Sequence, residues 1–278
     1  MARRFKSIDD YERHLRHKRG IGEKEDYKPW FTVKDVKNKT AFRKELMGLT
    51  VARPHHLLSA LEFSLFLTMD FRDDVIDIRE QFPLFPLALS RKIALTLGVQ
   101  HPCVVGVESP TPFVMTTDLL VSFVHEGAIR YVAFCVKPEE HLTDSATLAK
   151  IDIERVWWES IGVTFKIFSG NDVVKTQSHN ILWVTDLHRH GLAAHLEPFL
   201  VDAAKHVPLG QSSKHGLCDT FAQCFKLDEI DALNLLRLLI GKKYIHVELA
   251  EQHLDVSRTV KVIENQYFTE ERRRVSGG

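Results

Sequence analysis

Three residues far apart in the chain have the types needed to hydrolyse a phosphodiester: Glu62, Asp118 and Lys137. Two carboxylates can hold Mg²⁺, a hard cation that prefers oxygen ligands and keeps several of its waters. Mn²⁺ suits the same donors. Such an ion polarises the scissile phosphate and lowers the pKa of a bound water. A lysine beside that water orients it and offsets the charge that builds on the phosphate. Each residue alone has a plainer reading. Glu62 completes a Ser-x-x-Glu capping box with Ser59. Asp118 can simply start a strand after Thr116 and Thr117, and Lys137 before Pro138 can be a strand-ending surface lysine. The chemical reading gains because all three converge on one end of the same expected sheet.

The elements that would place them follow from pattern and punctuation. A helix runs from Ser59 to about Met69, capped by Ser59. Asp74 to Gln81 has the branched residues and partial alternation of a strand. A short helix, Ser90 to Leu97, ends at Gly98, and the stretch from Gln100 to Pro112 is a loop. Two strands follow, Asp118 to Val124 and Tyr131 to Val136. With Gly127 and Ala128 as the central residues of a type II′ turn, Asp118 falls directly opposite Lys137, and Leu120 and Cys135 share that face. A helix from Asp144 to about Ser160 and a strand from Val163 to Phe168 complete the series. The expected fold is α/β with a mixed sheet, forming one domain over 1–172.

Beyond residue 172 the texture changes. Asp228 to Ile240 is a strongly apolar helix stopped by Gly241, and Lys243 to Leu249 alternates like an exposed strand. Helix followed by ribbon predicts a smaller winged-helix-like domain over 173–278, with a helical hairpin as the alternative.

Composition bounds the class. With 44% hydrophobic and 27% charged residues the chain is that of a soluble globular protein. No apolar run is long enough to span a bilayer, and the first residues lack the apolar core of a secretory signal, so a cytoplasmic location is expected. Four cysteines at irregular spacing exclude a disulfide framework. The group His206, His215, Cys218 and Cys224 has no Cys-x-x-Cys pair and is expected to hold isolated buried thiols rather than zinc. Net charge is zero, which argues against tight non-specific DNA binding by the whole chain. Residues 1–50, however, hold fourteen Lys/Arg against eight Asp/Glu, a surplus of six. That segment is either a solvated arm or one that lies on phosphates. Its two glycines, Gly20 and Gly22, follow no strand and are not a nucleotide fingerprint.

Five phrases carry a resemblance. They are Tyr27 to Trp30, His55 to Glu62, Asp77 to Leu84, Met115 to Asp118 and Val136 to Pro138. In this order, from about residue 19 to 168, the chain resembles the TnsA family, the endonuclease subunits of heteromeric cut-and-paste transposases. The resemblance implies a restriction-endonuclease-like fold and Mg²⁺-dependent cleavage of the 5′, non-transferred strands at transposon ends. It implies a separate TnsB-like DDE transposase for the 3′ ends and a TnsC-like ATPase regulator docking on the C-terminal part. Glu62, Asp118 and Lys137 take the catalytic places. Glu154 falls where the family also has a glutamate near the site, though it can equally be a solvated helix acid. Arg19, Lys28, Arg53 and Arg79 are the candidate DNA contacts.

One position departs from the family pattern. Two residues before the lysine these nucleases usually have Glu or Gln at the metal; here it is Cys135. A neutral thiol is a poor ligand for a hard cation. Either Glu62 and Asp118 suffice with the backbone at Val136 and with Cys135 through its backbone or as a weak ligand, or metal affinity is reduced. A stand-alone repair or restriction nuclease, and a decayed DNA-bound scaffold, are the competing functions.

Overall fold

A computed structural model describes residues 8–36, 42–104 and 111–269. The basic residues before Ile8, part of the loop from Gln100 to Pro112, and the charged tail from Glu270 to Val275 lie outside the described residues, as do Gly277 and Gly278. The chain divides into two compact units, Met1–Gly170 and Asn171–Gly278.

The first unit begins with α1 (Ile8–Arg16) and an antiparallel pair, β1 (Lys44–Met47) and β2 (Pro54–Leu57). Next come α2 (Ala60–Asp70), β3 (Val75–Pro83), α3 (Leu87–Thr96), β4 (Thr116–His125), β5 (Ala128–Val136), α4 (Ser145–Glu159) and β6 (Thr164–Phe168). Strands β3 to β6 lie side by side in that order. The first two pairs are antiparallel and β5–β6 is parallel. The parallel pair needs a long crossover, which α4 supplies. The sheet is mixed, as expected from the sequence.

Local chemistry sets the helix starts. Ser59 Oγ accepts from the Glu62 amide at 3.1 Å, and Asp144 Oδ2 accepts from the Thr147 amide at 2.8 Å. The consecutive residues Leu119, Leu120 and Val121 are all nearly inaccessible, so both faces of the sheet are covered. On one face Leu120 and Ala133 pack with Ile93 of α3 and with Ile153, Trp157 and Trp158 of α4. Helix α2 lies against β3 and β4.

The hairpin register differs from the expected one. Strands β4 and β5 run up to His125 and Ala128, leaving Glu126 and Gly127 as the two turn residues. Both have positive φ, 51° and 74°, as a type I′ turn requires. Its twist matches that of the strands, so the pairing continues to the turn instead of stopping at Val124 and Tyr131. His125 pairs with Ala128 and Leu119 with Phe134, so each β4 residue faces a position two places earlier in β5 than expected. Asp118 and Lys137 are therefore not cross-strand partners. Side chains alternate with period two, so a two-place shift keeps each one on its expected face.

The second unit contains α5 (Asp172–His190), α6 (Leu200–Lys205), β7 (Gly210–Ser213), α7 (Lys214–Phe225), α8 (Glu229–Gly241), β8 (Ile245–Val247) and β9 (Thr259–Asn265). The three strands form an antiparallel sheet in the order β7-β9-β8. Helix α8 is apolar nearly all round because it is the central element of this unit. Leu235, Leu236 and Leu239 are fully buried against Val184 of α5, Phe221 of α7 and Val260 of β9. Gly241 is its last residue, where a Cβ would meet the Val184 carbonyl oxygen at 2.4 Å. The strand expected over Lys243 to Leu249 is only three residues long. All four cysteines are free; Cys135 and Cys218 are buried, whereas Cys224, expected inside, is exposed, as is Cys103.

Candidate active site

Asp118 and Lys137 meet despite the shifted register. Asp118 Oδ2 accepts from the Val136 amide at 2.7 Å and from Lys137 Nζ at 3.2 Å. Lys137 Nζ also donates to the Val136 carbonyl at 2.9 Å. Burial alone would lower the lysine's pKa, but the Asp118 carboxylate outweighs it and holds the ammonium above its ordinary value. The lysine is thus charged and aimed, with about a third of its side chain (34%) still open to solvent.

Glu62 lies in the first turn of α2, capped by Ser59. Its amide takes the Ser59 cap, while its carboxylate accepts from the Leu58 amide at 3.0 Å and from Gln81 Nε2 at 3.4 Å. Burial and the nearby Asp118 charge raise its pKa to about 8.

Gln81 was not singled out by sequence, yet the neighbouring motifs converge on it. It stands between the paired positions Glu80–Leu119 and Phe82–Thr117, and so lies across from Asp118. Its φ is 49°, in the left-handed region, which costs a non-glycine residue on the order of 1–3 kcal/mol unless its surroundings impose it. They do so from both sides. Its carbonyl accepts from the Trp30 amide, and its side chain joins Glu62 to the Thr116 hydroxyl. Next to it, the fully buried Glu80 takes Arg53 Nη2 at 2.7 Å, His55 Nδ1 at 3.0 Å and the His56 amide at 3.0 Å. Tyr27 donates its hydroxyl to the Glu80 carbonyl at 3.0 Å. The phrases around Tyr27, His55 and Asp77 therefore build one scaffold under the site.

Glu154 is not a solvated helix acid. It is buried on α4 and accepts from Thr117 Oγ1 at 2.7 Å, and Trp158 Nε1 donates to that hydroxyl at 2.6 Å. Burial, then Asp118, raise its pKa to about 8. Burial and the acids Glu154 and Asp118 push the Cys135 thiol far up, leaving it protonated. The Val136 carbonyl, expected near a metal, accepts from Lys137 Nζ with one of its two lone pairs.

The four expected DNA contacts separate into two kinds. Arg53 and Arg79 are buried, the first clamped to Glu80 and the second near Asp77 and Glu23. Arg19 is half-buried and bonded to Asp35 and to the Trp30 carbonyl. Lys28 is exposed and bonded through its backbone to Ile21 and Gly20, while its side chain makes no hydrogen bond or ion pair among the described residues.

Three carboxylates with one lysine, two of them driven upward by burial and then by the third, form a donor set short of positive charge. A hard divalent cation fits that deficit, because it would stabilise the ionised form of all three.

The family model described as "TnsA-like endonuclease N terminal" matches residues 72–170, which carry Asp118, Lys137 and Glu154. The transposon Tn7 transposition protein TnsA of Escherichia coli is 34% identical over 198 residues, 70% of each chain. This chain belongs to the TnsA family. It is accordingly a transposition endonuclease acting on DNA phosphodiester bonds, on a restriction-endonuclease-like fold. The segment matched to TnsA begins just after α2 and closes just after β6. Glu62 lies ahead of it, brought in by α2.

Proposed function

We propose that this TnsA-family protein cuts the 5′, non-transferred strands at transposon ends. The observation that carries the reading is the charged Lys137 held at Asp118, with the buried acids Glu62 and Glu154 both raised by that same carboxylate. Glu62 and Asp118 would hold Mg²⁺, with Mn²⁺ as a substitute. The ion supplies charge that polarises the phosphate and acidifies a bound water. Lys137 would orient the attacking water and offset charge on the phosphate. Glu154, fixed by Thr117, orients the donor set from the α4 side. Cys135, buried and neutral, contributes packing rather than a ligand.

Lys28, and Arg19 beside it, are the DNA-contacting cations in this reading, whereas Arg53 and Arg79 brace β3. A TnsB-like DDE transposase cuts the 3′ ends, and a TnsC-like ATPase regulator docks on the C-terminal unit. From α6 onward, the order helix, strand, helix, helix, strand, strand supports a winged-helix-like domain. Among the described residues no helix is long and apolar enough to cross a membrane, and we place the protein in the cytoplasm, on the nucleoid during transposition.

The test is a transposon-end duplex labelled separately on each strand and incubated with the transposase and regulator subunits. Cuts on the 5′ strands that require this chain and a divalent ion support the reading. Cuts on the 3′ strands by this chain would overturn the division of labour.

A further inference from the structure

We propose that His179, His253 and Asp255 form a second metal site, in the C-terminal unit, for a borderline cation of the Zn²⁺ class. His179 lies on α5, and His253 and Asp255 lie on the segment between β8 and β9. One donor atom from each lies within 4.8 Å of the other two. His179 Nε2 is 3.1 Å from Asp255 Oδ2. The two imidazoles are 4.5 Å apart and nearly perpendicular, at 74°. Zinc binds such donors at about 2.0–2.2 Å, which sets ligands of a tetrahedral shell roughly 3.3 Å from one another. Small side-chain rotations suffice to reach that spacing. Two imidazoles and a carboxylate, with a fourth position for water, suit Zn²⁺ and are too nitrogen-rich for Mg²⁺.

The backbone already presents these side chains to one another. Asn180, the neighbour of His179, is fully buried. Its Nδ2 donates to the carbonyls of Leu249 at 2.8 Å and Gln252 at 2.7 Å, and its Oδ1 accepts from the Leu254 amide at 2.8 Å. Lys214 Nζ donates to the carbonyls of Leu254 and Asp255. The His253 carbonyl accepts from the Ser257 amide. The loop is thus fastened to α5 by Asn180 and to α7 by Lys214, through bonds that use none of the three exposed ligand side chains. A preorganised site pays little ordering entropy when the ion arrives. A bound ion would act as a clasp between α5 and the β8–β9 loop.

Full-length protein carrying Asp118→Asn, which weakens the catalytic centre, is stripped with chelator and titrated with Zn²⁺ by calorimetry in excess Mg²⁺. One Zn²⁺ per chain is expected, and Co²⁺ in its place should give the strong visible absorption of a four-coordinate ion. His253→Ala, or the nearly isosteric Asp255→Asn, should each weaken Zn²⁺ binding at least tenfold, with folding verified by circular dichroism. In the parent, Zn²⁺ should also raise the melting temperature, an effect lost in both variants. No Zn²⁺ binding in the parent, or binding undiminished in both variants, would overturn the proposal.

Discussion

Lys137 Nζ sits 3.2 Å from Asp118 Oδ2, reaching back from a residue just beyond the end of β5. The same amine is steadied by the Val136 carbonyl, and the Lys137 amide is tied to the Phe168 carbonyl of β6. The lysine is therefore fixed at both its backbone and its tip, at the open end of the sheet. Asp118 in turn accepts from the Val136 amide, so acid and base are locked to one short stretch of β5. The geometry holds a cation next to a carboxylate without burying either completely.

The chain from Trp158 through Thr117 to Glu154 should matter to cleavage and not only to packing. Thr117→Val keeps the shape but removes the hydroxyl that accepts from Trp158 and donates to Glu154. Leaving those buried groups unpaired should cost about 1–3 kcal/mol of stability. Outer partners of metal sites typically carry about 10–100-fold in activity. Denaturant midpoints and cleavage rates measured on the same variant check both. Unchanged cleavage by a destabilised Thr117→Val would reduce this chain to a structural role.

Glu80 predicts an acid limit to stability. Burial raises its pKa, but His55 and Arg53 outweigh burial and hold the carboxyl well below the usual carboxylate range. A folded value below the unfolded one means the stabilisation is complete above the unfolded pKa, about 4.3. It is lost as pH falls from there toward the folded value. Glu80→Gln should cost about 3–5 kcal/mol at neutral pH, because it leaves Arg53 buried without its charge partner. The gap between parent and variant should narrow as pH drops below about 4. A gap independent of pH in urea titrations would contradict the assignment.

Gln81 separates strain from function. Gln81→Gly tolerates the positive φ that glutamine does not prefer, so stability should change by no more than about 1 kcal/mol. The same change removes the amide that touches Glu62, and cleavage should fall about tenfold or more. A variant as active as the parent would show that the amide does not position Glu62.

Much of this architecture could be read from sequence, for physical reasons. Ser59, Asp144 and Gly98 are local signals, and the elements they bound fall within a few residues of expectation. The hairpin register misled because Gly127 can serve as the first central residue of one turn type or the second of another. Strands β1 and β2 escaped because their polar residues, such as His55, are satisfied by Glu80, 25 positions away. Glu154 looked ambiguous for the same reason: only Thr117, on another element, shows why an acid is buried there. Helices α5 to α7 carry mixed, weakly patterned residues whose apolar sides become evident only around α8.

The division between the two units gives a further test. A fragment ending at Gly170 should fold and keep the acids and Lys137, since its sheet and helices are internal to that unit. It should no longer bind the ATPase regulator in a pull-down with DNA removed. Full-affinity capture by the fragment would move the docking surface to the nuclease unit.

The most direct test of the site is strand-resolved cleavage by Asp118→Ala in the presence of both partner subunits. Losing this side chain removes the acceptor for Lys137 Nζ and the charge that, after burial, raises Glu62 and Glu154. We expect 5′-strand cutting to fall at least a thousandfold, roughly 4 kcal/mol in the barrier, while 3′-strand cutting by the partner persists. Undiminished 5′ cutting by a folded Asp118→Ala protein would contradict the site described here.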